Sequence, residues 1–218
     1  MMKKILCLIL ALATLVGSVF ALASCGGDDE ELTLYEIAKT SSPTKTVTIV
    51  EYTTYTGDEL DGYYSVEKEG GNSIFYYNYN RPLTPEEAIE LGTTDRIYNF
   101  EGYVYHKDNK YSTDGVTYSD ITPDETPFKF NLQENYLTGA TLNEEGTRLE
   151  ATVTASNAIQ LFGSALKALG DVQLVVETDG TYLREVTLTY TTVTNATVKV
   201  TTSYSYNSIT LEFPSQEG

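Results

Sequence analysis

The feature that most restricts what this chain can fold into is a period of two. In "RLEATVTA", residues 148–155, Leu149, Ala151 and Val153 fall on one side, and Arg148, Glu150, Thr152 and Thr154 fall on the other. Successive side chains of an extended chain point to opposite faces, so such a run buries one face and wets the other, as in an antiparallel sheet. The alternation returns in "TVKVT", where Val198 and Val200 oppose Thr197, Lys199 and Thr201. It returns again where Ile209, Leu211 and Phe213 oppose Thr210 and Glu212. Threonine, valine and 18 tyrosines supply β-formers throughout. Asp114-Gly115, Glu145-Gly146 and Asp179-Gly180 supply residues suited to tight turns. Strands are expected near 46–55, 62–68, 73–80, 96–106, 110–113, 116–119, 127–132, 147–155, 172–178, 182–192, 196–205 and 207–213, merging to about ten.

Helical signals are few. Residues 31–39 form one short candidate. In "LTPEEAIELG" Thr84 caps, Pro85 opens the first turn, Glu87 completes a capping box and Gly92 stops the helix. The third candidate, "SNAIQLFGSALKALGD", runs from a Ser156 cap to a Gly170 stop. Its polar residues Asn157, Gln160, Ser164, Lys167 and Asp171 make one narrow stripe, while Ile159, Leu161, Phe162, Leu166 and Leu169 occupy the rest. A helix this apolar must bury most of its circumference, so it is expected to press onto the concave face of a sheet.

The N-terminus carries a different signal. Lys3 and Lys4 precede "ILCLILALATLVGSVFALA", an apolar run ending in small residues, which is the pattern of an export leader. Leu22-Ala23-Ser24-Cys25 closes it and resembles the lipobox of bacterial lipoproteins, whose cysteine is lipidated and becomes N-terminal after cleavage. Residues 1–24 are then a signal peptide, 25–31 the lipidated cysteine with an acidic tether, and 32–218 one β-rich domain. Cys7 leaves with the leader, so Cys25 has no disulfide partner. The only histidine, His106, would have to reach an extreme terminus to activate Cys25 as a nucleophile. Attachment is the reading that remains, and the resemblance implies a diacylglycerol anchor on the outer face of the bacterial cell membrane. Gly26-Gly27-Asp28-Asp29-Glu30-Glu31 reads as an extended spacer reaching roughly 20 Å.

The body of about 190 residues is long enough for one domain with a real core. The full chain carries a formal charge of −17, from 14 Lys+Arg against 31 Asp+Glu, and loss of Lys3 and Lys4 with the leader would make it more negative still. That balance argues against nucleic acid and against peripheral attraction to anionic lipid. No calcium-loop pattern is present, and "DNKYSTDG" at 108–115 lacks alternating ligands, so neither metal nor cofactor is expected.

The order of these parts resembles the LolA/LppX-type lipoprotein fold. The parts are a lipidated cysteine, antiparallel strands, an apolar helix before the last strands, and a terminal series ending "YSYNSITLEFP". The segment "YVYHKDNKYSTDGVTYSDI" is similar to the central hairpins of that superfamily. The resemblance spans roughly residues 31–214. It implies a mainly β (α+β) fold in which a curved antiparallel sheet, a half-barrel, wraps an apolar helix and encloses a cavity for lipid-like cargo.

Motifs for catalysis are thin. Ser164-Ala165-Leu166-Lys167 matches the S-x-x-K of penicillin-binding enzymes, but Ser119-Asp120 is followed by Ile121 and no K-T-G exists. Amphipathicity already accounts for Ser164 and Lys167. His106 alone builds neither a triad nor a metal site, and carboxylate pairs such as Glu86/Glu87 and Asp58/Asp61 carry no signal in so acidic a chain. The chain is therefore expected not to be an enzyme.

The tyrosines admit two readings. "GYYS" at 62–65, "IFYYNYN" at 74–80, and Tyr103 with Tyr105 place aromatics on both faces of neighbouring strands. They could pair across strands of a half-exposed sheet, or form a binding surface that offers apolar bodies and hydrogen-bonding tips. Two functions follow. One is a carrier of a lipid-like or other hydrophobic ligand, contacted by Ile159, Phe162, Leu166 and Leu169 from the helix and Tyr103 and Tyr105 from the sheet. The other is a non-catalytic cell-surface module presenting tyrosines to a glycan or protein partner.

Overall fold

The computed structural model describes residues 33–121, 130–137, 139–162, 166 and 168–215. The stretches expected to form the leader and the tether, Cys25 between them, and the Ser164/Lys167 pair lie outside the described residues. No helix among the described residues is long and apolar enough to cross a membrane.

Ten strands form one antiparallel sheet: β1 (Lys45–Thr53), β2 (Glu59–Glu69), β3 (Asn72–Pro82), β4 (Ile97–Lys107), β5 (Lys110–Ser112), β6 (Thr141–Leu142), β7 (Arg148–Val153), β8 (Val172–Thr178), β9 (Leu183–Thr191) and β10 (Thr197–Ser205). Their spatial order is β5-β4-β3-β2-β1-β10-β9-β8-β7-β6, so two meanders meet where β1 pairs with β10. Short turns drive each meander. Asp108 and Asn109 adopt φ of 53° and 63° between β4 and β5, which is the geometry of a type I′ hairpin. Gly146 and Gly180, both at positive φ, turn the chain between β6 and β7 and between β8 and β9, where the sequence signals place them.

The alternating residues do what their period demands. Leu149, Ala151 and Val153 of β7 face the same side as Val172, Leu174 and Val176 of β8, Val186 and Leu188 of β9, and Val198 and Val200 of β10. Leu34, Leu137, Ala158, Leu161 and Leu166 close this face from above. Each fully buried aliphatic side chain here stabilises the fold by roughly 1.5–3 kcal/mol. The opposite face carries Arg148, Glu150, Glu177, Glu185 and Lys199, with ion pairs from Arg148 to Glu150 and Glu177.

Three short helices accompany the sheet: α1 (Leu34–Thr40), α2 (Pro85–Leu91) and α3 (Ala155–Phe162), with a 3-10 turn at Glu134–Tyr136. Helix α2 matches its signals. Thr84 accepts from the Glu87 N–H, the Glu87 carboxylate accepts from the Thr84 N–H, and Gly92 ends the helix at φ 64°. Helix α3 is shorter than the apolar stretch suggests and starts earlier. The cap is Thr154, whose Oγ1 accepts from the Asn157 N–H at 3.4 Å, not Ser156. At the far end of the stretch the backbone finds partners other than a helix: Ala168 bridges Thr192 and the Leu169 N–H donates to the Thr191 carbonyl at 2.7 Å.

Other expected strands also yield to competing hydrogen bonds. At 116–119 only Ser119 bridges Tyr111, because the Asp114 carboxylate captures the Val116 and Thr117 N–H groups at 2.8 and 2.7 Å. Residues 130–132 of the stretch expected at 127–132 are not strand, and the Asn131 N–H donates to the Leu161 carbonyl at 2.9 Å. The stretch 207–213 alternates but pairs with no strand, since β10 is already occupied on both edges by β1 and β9. It crosses instead to Glu69, which accepts the Leu211 N–H at 3.0 Å, and sets Phe213 against Tyr105.

Candidate functional site

Strand pairing carries the helix-covered face onward into β2, β3 and β4, where it changes character. Opposite Thr48 and Val50 of β1 stand Tyr64 and Gly62 of β2; opposite these stand Tyr77 and Tyr79 of β3, and then Gly102 and Phe100 of β4. The result is a continuous aromatic ladder. Tyr64 stacks on Phe75 and on Tyr79, Tyr79 stacks on Phe100 at 5.5 Å between centroids, and Tyr98 meets Phe100 edge-on at 5.2 Å. Two glycines make room for it. A Cβ on Gly62 would lie 2.8 Å from the Tyr64 ring, and one on Gly102 would lie 2.5 Å from the Tyr77 hydroxyl. Each glycine in a strand interior is thus covered by a tyrosine ring, which restores the contact a missing side chain would have made.

An open groove of about 320 Å³ runs over this region. Its floor and walls are Val50 and Tyr52 of β1 with Thr54 just beyond it, Leu60, Asp61, Gly62 and Tyr64 of β2, and Tyr79 to Pro82 of β3. Arg81 marks one end. Its guanidinium lies 4.4 Å from the Phe100 ring centroid and donates two hydrogen bonds to the Glu87 carboxylate, at 2.9 and 2.6 Å. The capping box of α2 therefore also fixes a groove residue, because Glu87 serves both. Those hydrogen bonds, first from Arg81 and then from the Thr84 N–H, hold the Glu87 carboxyl down at about 2. The same pairing raises the Arg81 pKa, with a smaller contribution from Tyr79. Charge at this end is consequently neutralised within the protein, and the groove presents aromatic faces and hydroxyl tips.

The space beneath α3 is different. Phe162 stacks on Phe130 at 5.2 Å, and between this pair and Val186, Leu188, Val200, Thr202 and Tyr204 the free volume is about 20 Å³. That is room for a water-sized guest. Burial pushes the Tyr204 hydroxyl well above its usual range, so it stays neutral there.

The residues singled out in the sequence distribute over three places. Phe162 and Leu166 lie on the covered face, Leu166 at 8 % exposure within the core. Ile159 and Leu169 are exposed, at 40 % and 58 %. Tyr103 and Tyr105 sit on the opposite face of β4, stacked on one another at 5.8 Å, so the fold does not bring them to Phe162. His106 is on the covered side of β4, its ring 4.8 Å from that of Tyr111. The groove residues Tyr52, Leu60 and Arg81, and the two strand glycines, were not foreseen. The signal that points to them is Gly70-Gly71, which closes β2 on β3 with Glu69 opposite Asn72 and so sets Gly62 against Tyr79.

No protein-family model matches the chain, and a search of curated proteins finds no similar sequence.

Proposed function

We propose that this chain is a membrane-anchored extracytoplasmic lipoprotein, held through Cys25 on the outer face of a bacterial cell membrane, that binds a neutral glycan without catalysis. The observation that carries the reading is the location of open volume. It lies over Tyr52, Tyr64 and Tyr79, in a groove of about 320 Å³, and not beneath α3. A groove of that size is at the lower end of small-ligand sites. Tyrosine rings offer flat apolar bodies to the C–H faces of a sugar, and their hydroxyls meet its polar rim. Arg81, already held by Glu87, leaves no unpaired cation to demand an acidic ligand.

The test is titration calorimetry against neutral oligosaccharides taken from a glycan-array screen of the purified chain. A Tyr79→Ala variant should lose binding at least tenfold, while Ile159→Ala on the outer side of α3 should retain it. Array silence across neutral glycans refutes the proposal.

A second reading keeps the LolA/LppX likeness: a curved half-barrel carrying a lipid-like ligand between α3 and the sheet. Its support is the mainly apolar lining there, Phe130, Phe162, Val186, Leu188 and Val200, beside Thr202 and Tyr204. A ligand there would have to part the two phenylalanine rings. Mass spectrometry of an organic extract separates the two readings, because only the carrier yields bound lipid in molar proportion to protein.

A further inference from the structure

The sheet has two edges, and they are unlike. One ends in β6, two residues long, beside the six-residue β7. The other ends in β5, three residues long, which pairs only with Tyr105, His106 and Lys107 of β4. From Ile97 to Tyr103 the outer side of β4 has no strand beside it among the described residues.

The hairpin fixes which backbone groups face outward there. In a two-residue hairpin the closing pair, here Lys107 and Lys110, exchanges both of its hydrogen bonds. Counting back by twos, Tyr103, Glu101, Asn99 and Ile97 aim N–H and C=O away from β3, and the β3–β4 register runs without a shift. No backbone hydrogen bond among the described residues reaches these groups. Few of the usual devices that blunt an edge are present: no proline, lysine, arginine or bulge interrupts 97–103, and its one charged side chain, Glu101, accepts a hydrogen bond from the Tyr76 hydroxyl.

We infer that β4 is a strand-addition edge whose occupant is β4 of a second copy of this chain, joined antiparallel about a two-fold axis through Phe100. Three registers keep outward groups opposite one another near the centre of the stretch, and charge and hydrogen bonding choose among them. Centring on Glu101 sets two carboxylates face to face, and centring on Asn99 leaves Tyr103 without a partner. Centring on Phe100 pairs Ile97 with Tyr103 and Asn99 with Glu101, twice each, for a ladder of about eight hydrogen bonds. Ile97 and Tyr103, 41 % and 45 % exposed in one copy, then cover each other. On the other face Tyr98 meets Gly102 and the two Phe100 rings adjoin, which continues the ladder of Tyr64, Tyr79 and Phe100 across the axis. The inference is independent of what the groove binds.

Sedimentation velocity of the full chain in non-ionic detergent, over a concentration series, tests it. The expected result is a reversible dimer. Asn99→Pro and, separately, Tyr103→Pro each remove an outward N–H that the single copy does not use, so both variants should keep the wild-type circular dichroism spectrum while the dimer dissociation constant rises at least a hundredfold. A monomer at every concentration overturns the inference. A dimer that both proline variants leave unchanged overturns it equally.

Discussion

Replacing Gly102 by alanine should destabilise this protein, against the ordinary rule for a glycine in a strand. The backbone at Gly102 is not in the left-handed region, so alanine by itself would stabilise the strand by about 0.5–1 kcal/mol through lost unfolded-state freedom. The new Cβ, however, would lie 2.5 Å from the Tyr77 Oη and 2.7 Å from its Cζ. Carbon contacts are comfortable near 3.5–4.0 Å, so the ring must retreat by about 1 Å. It has little room, because Phe75 and Tyr79 hold it at centroid distances of 5.9 and 6.0 Å. Overpacking of this kind costs about 1–3 kcal/mol, which leaves a net loss of about 0.5–2 kcal/mol. Urea unfolding of Gly102→Ala, Tyr77→Ala and the double variant measures it. On the Tyr77→Ala background the same alanine should become stabilising by about 0.5–1 kcal/mol, giving a coupling of about 1–3 kcal/mol. A Gly102→Ala protein as stable as wild type, or single effects that add within about 0.4 kcal/mol, would refute the argument that the ring and the glycine are one packing unit.

Leu161→Ala removes a side chain only 1 % exposed between α3 and the sheet, and should cost about 2–5 kcal/mol in urea unfolding; a loss below 1 kcal/mol would mean the covered face is not the stabilising core. Thr84→Ala deletes the hydroxyl that accepts the Glu87 N–H, and a loss of about 1 kcal/mol in urea unfolding is expected, while groove binding should persist because the Glu87 carboxylate keeps both the Thr84 backbone N–H and Arg81; a stability equal to wild type would show that the cap contributes nothing. Glu87 has its carboxyl lowered from 4.5 to about 2, so its contribution to stability is complete above pH 4.5 and is lost as pH falls through about 2. Thermal melting between those limits should therefore depend on pH less steeply in Glu87→Gln than in wild type. Some slope will remain because Asp179, held down to about 2 by the Tyr182 and Thr181 N–H groups and by Arg184, is lost over the same range. Identical slopes would show that the Arg81 pair does not form in solution.

The period of two in 148–153, 172–178 and 197–201 determined the strands there, because which face of a strand is apolar depends only on residues two apart. The capping box around Thr84 and the glycine turns at 146 and 180 were equally local, and the chain obeys them. Alternation failed at 207–213, where the pattern was present and the partner was not: a strand needs a free edge, and β1 had taken the one beside β10 from about 150 residues away. It failed at 116–119 because one carboxylate outbid the ladder for two N–H groups. The apolar stretch after Ser156 suggested a helix on to Gly170, but at its far end Leu169 hydrogen-bonds to Thr191, and Ile159 and Leu169 are exposed.

The tyrosines mark the deepest division. Sequence alone placed aromatics at consecutive positions, Tyr63 with Tyr64 in β2 and Phe75, Tyr76 and Tyr77 in β3, and by that means determined that both faces would carry them. Which of them meet was a matter of register across strands: Tyr64 with Tyr79, Tyr77 over Gly102, and Arg81 over Phe100 while bound to Glu87. A shift of one residue in any pairing would have sent those rings to the other face. The groove exists because three hairpin registers and the β1–β10 pairing agree, and that agreement is a property of the folded sheet.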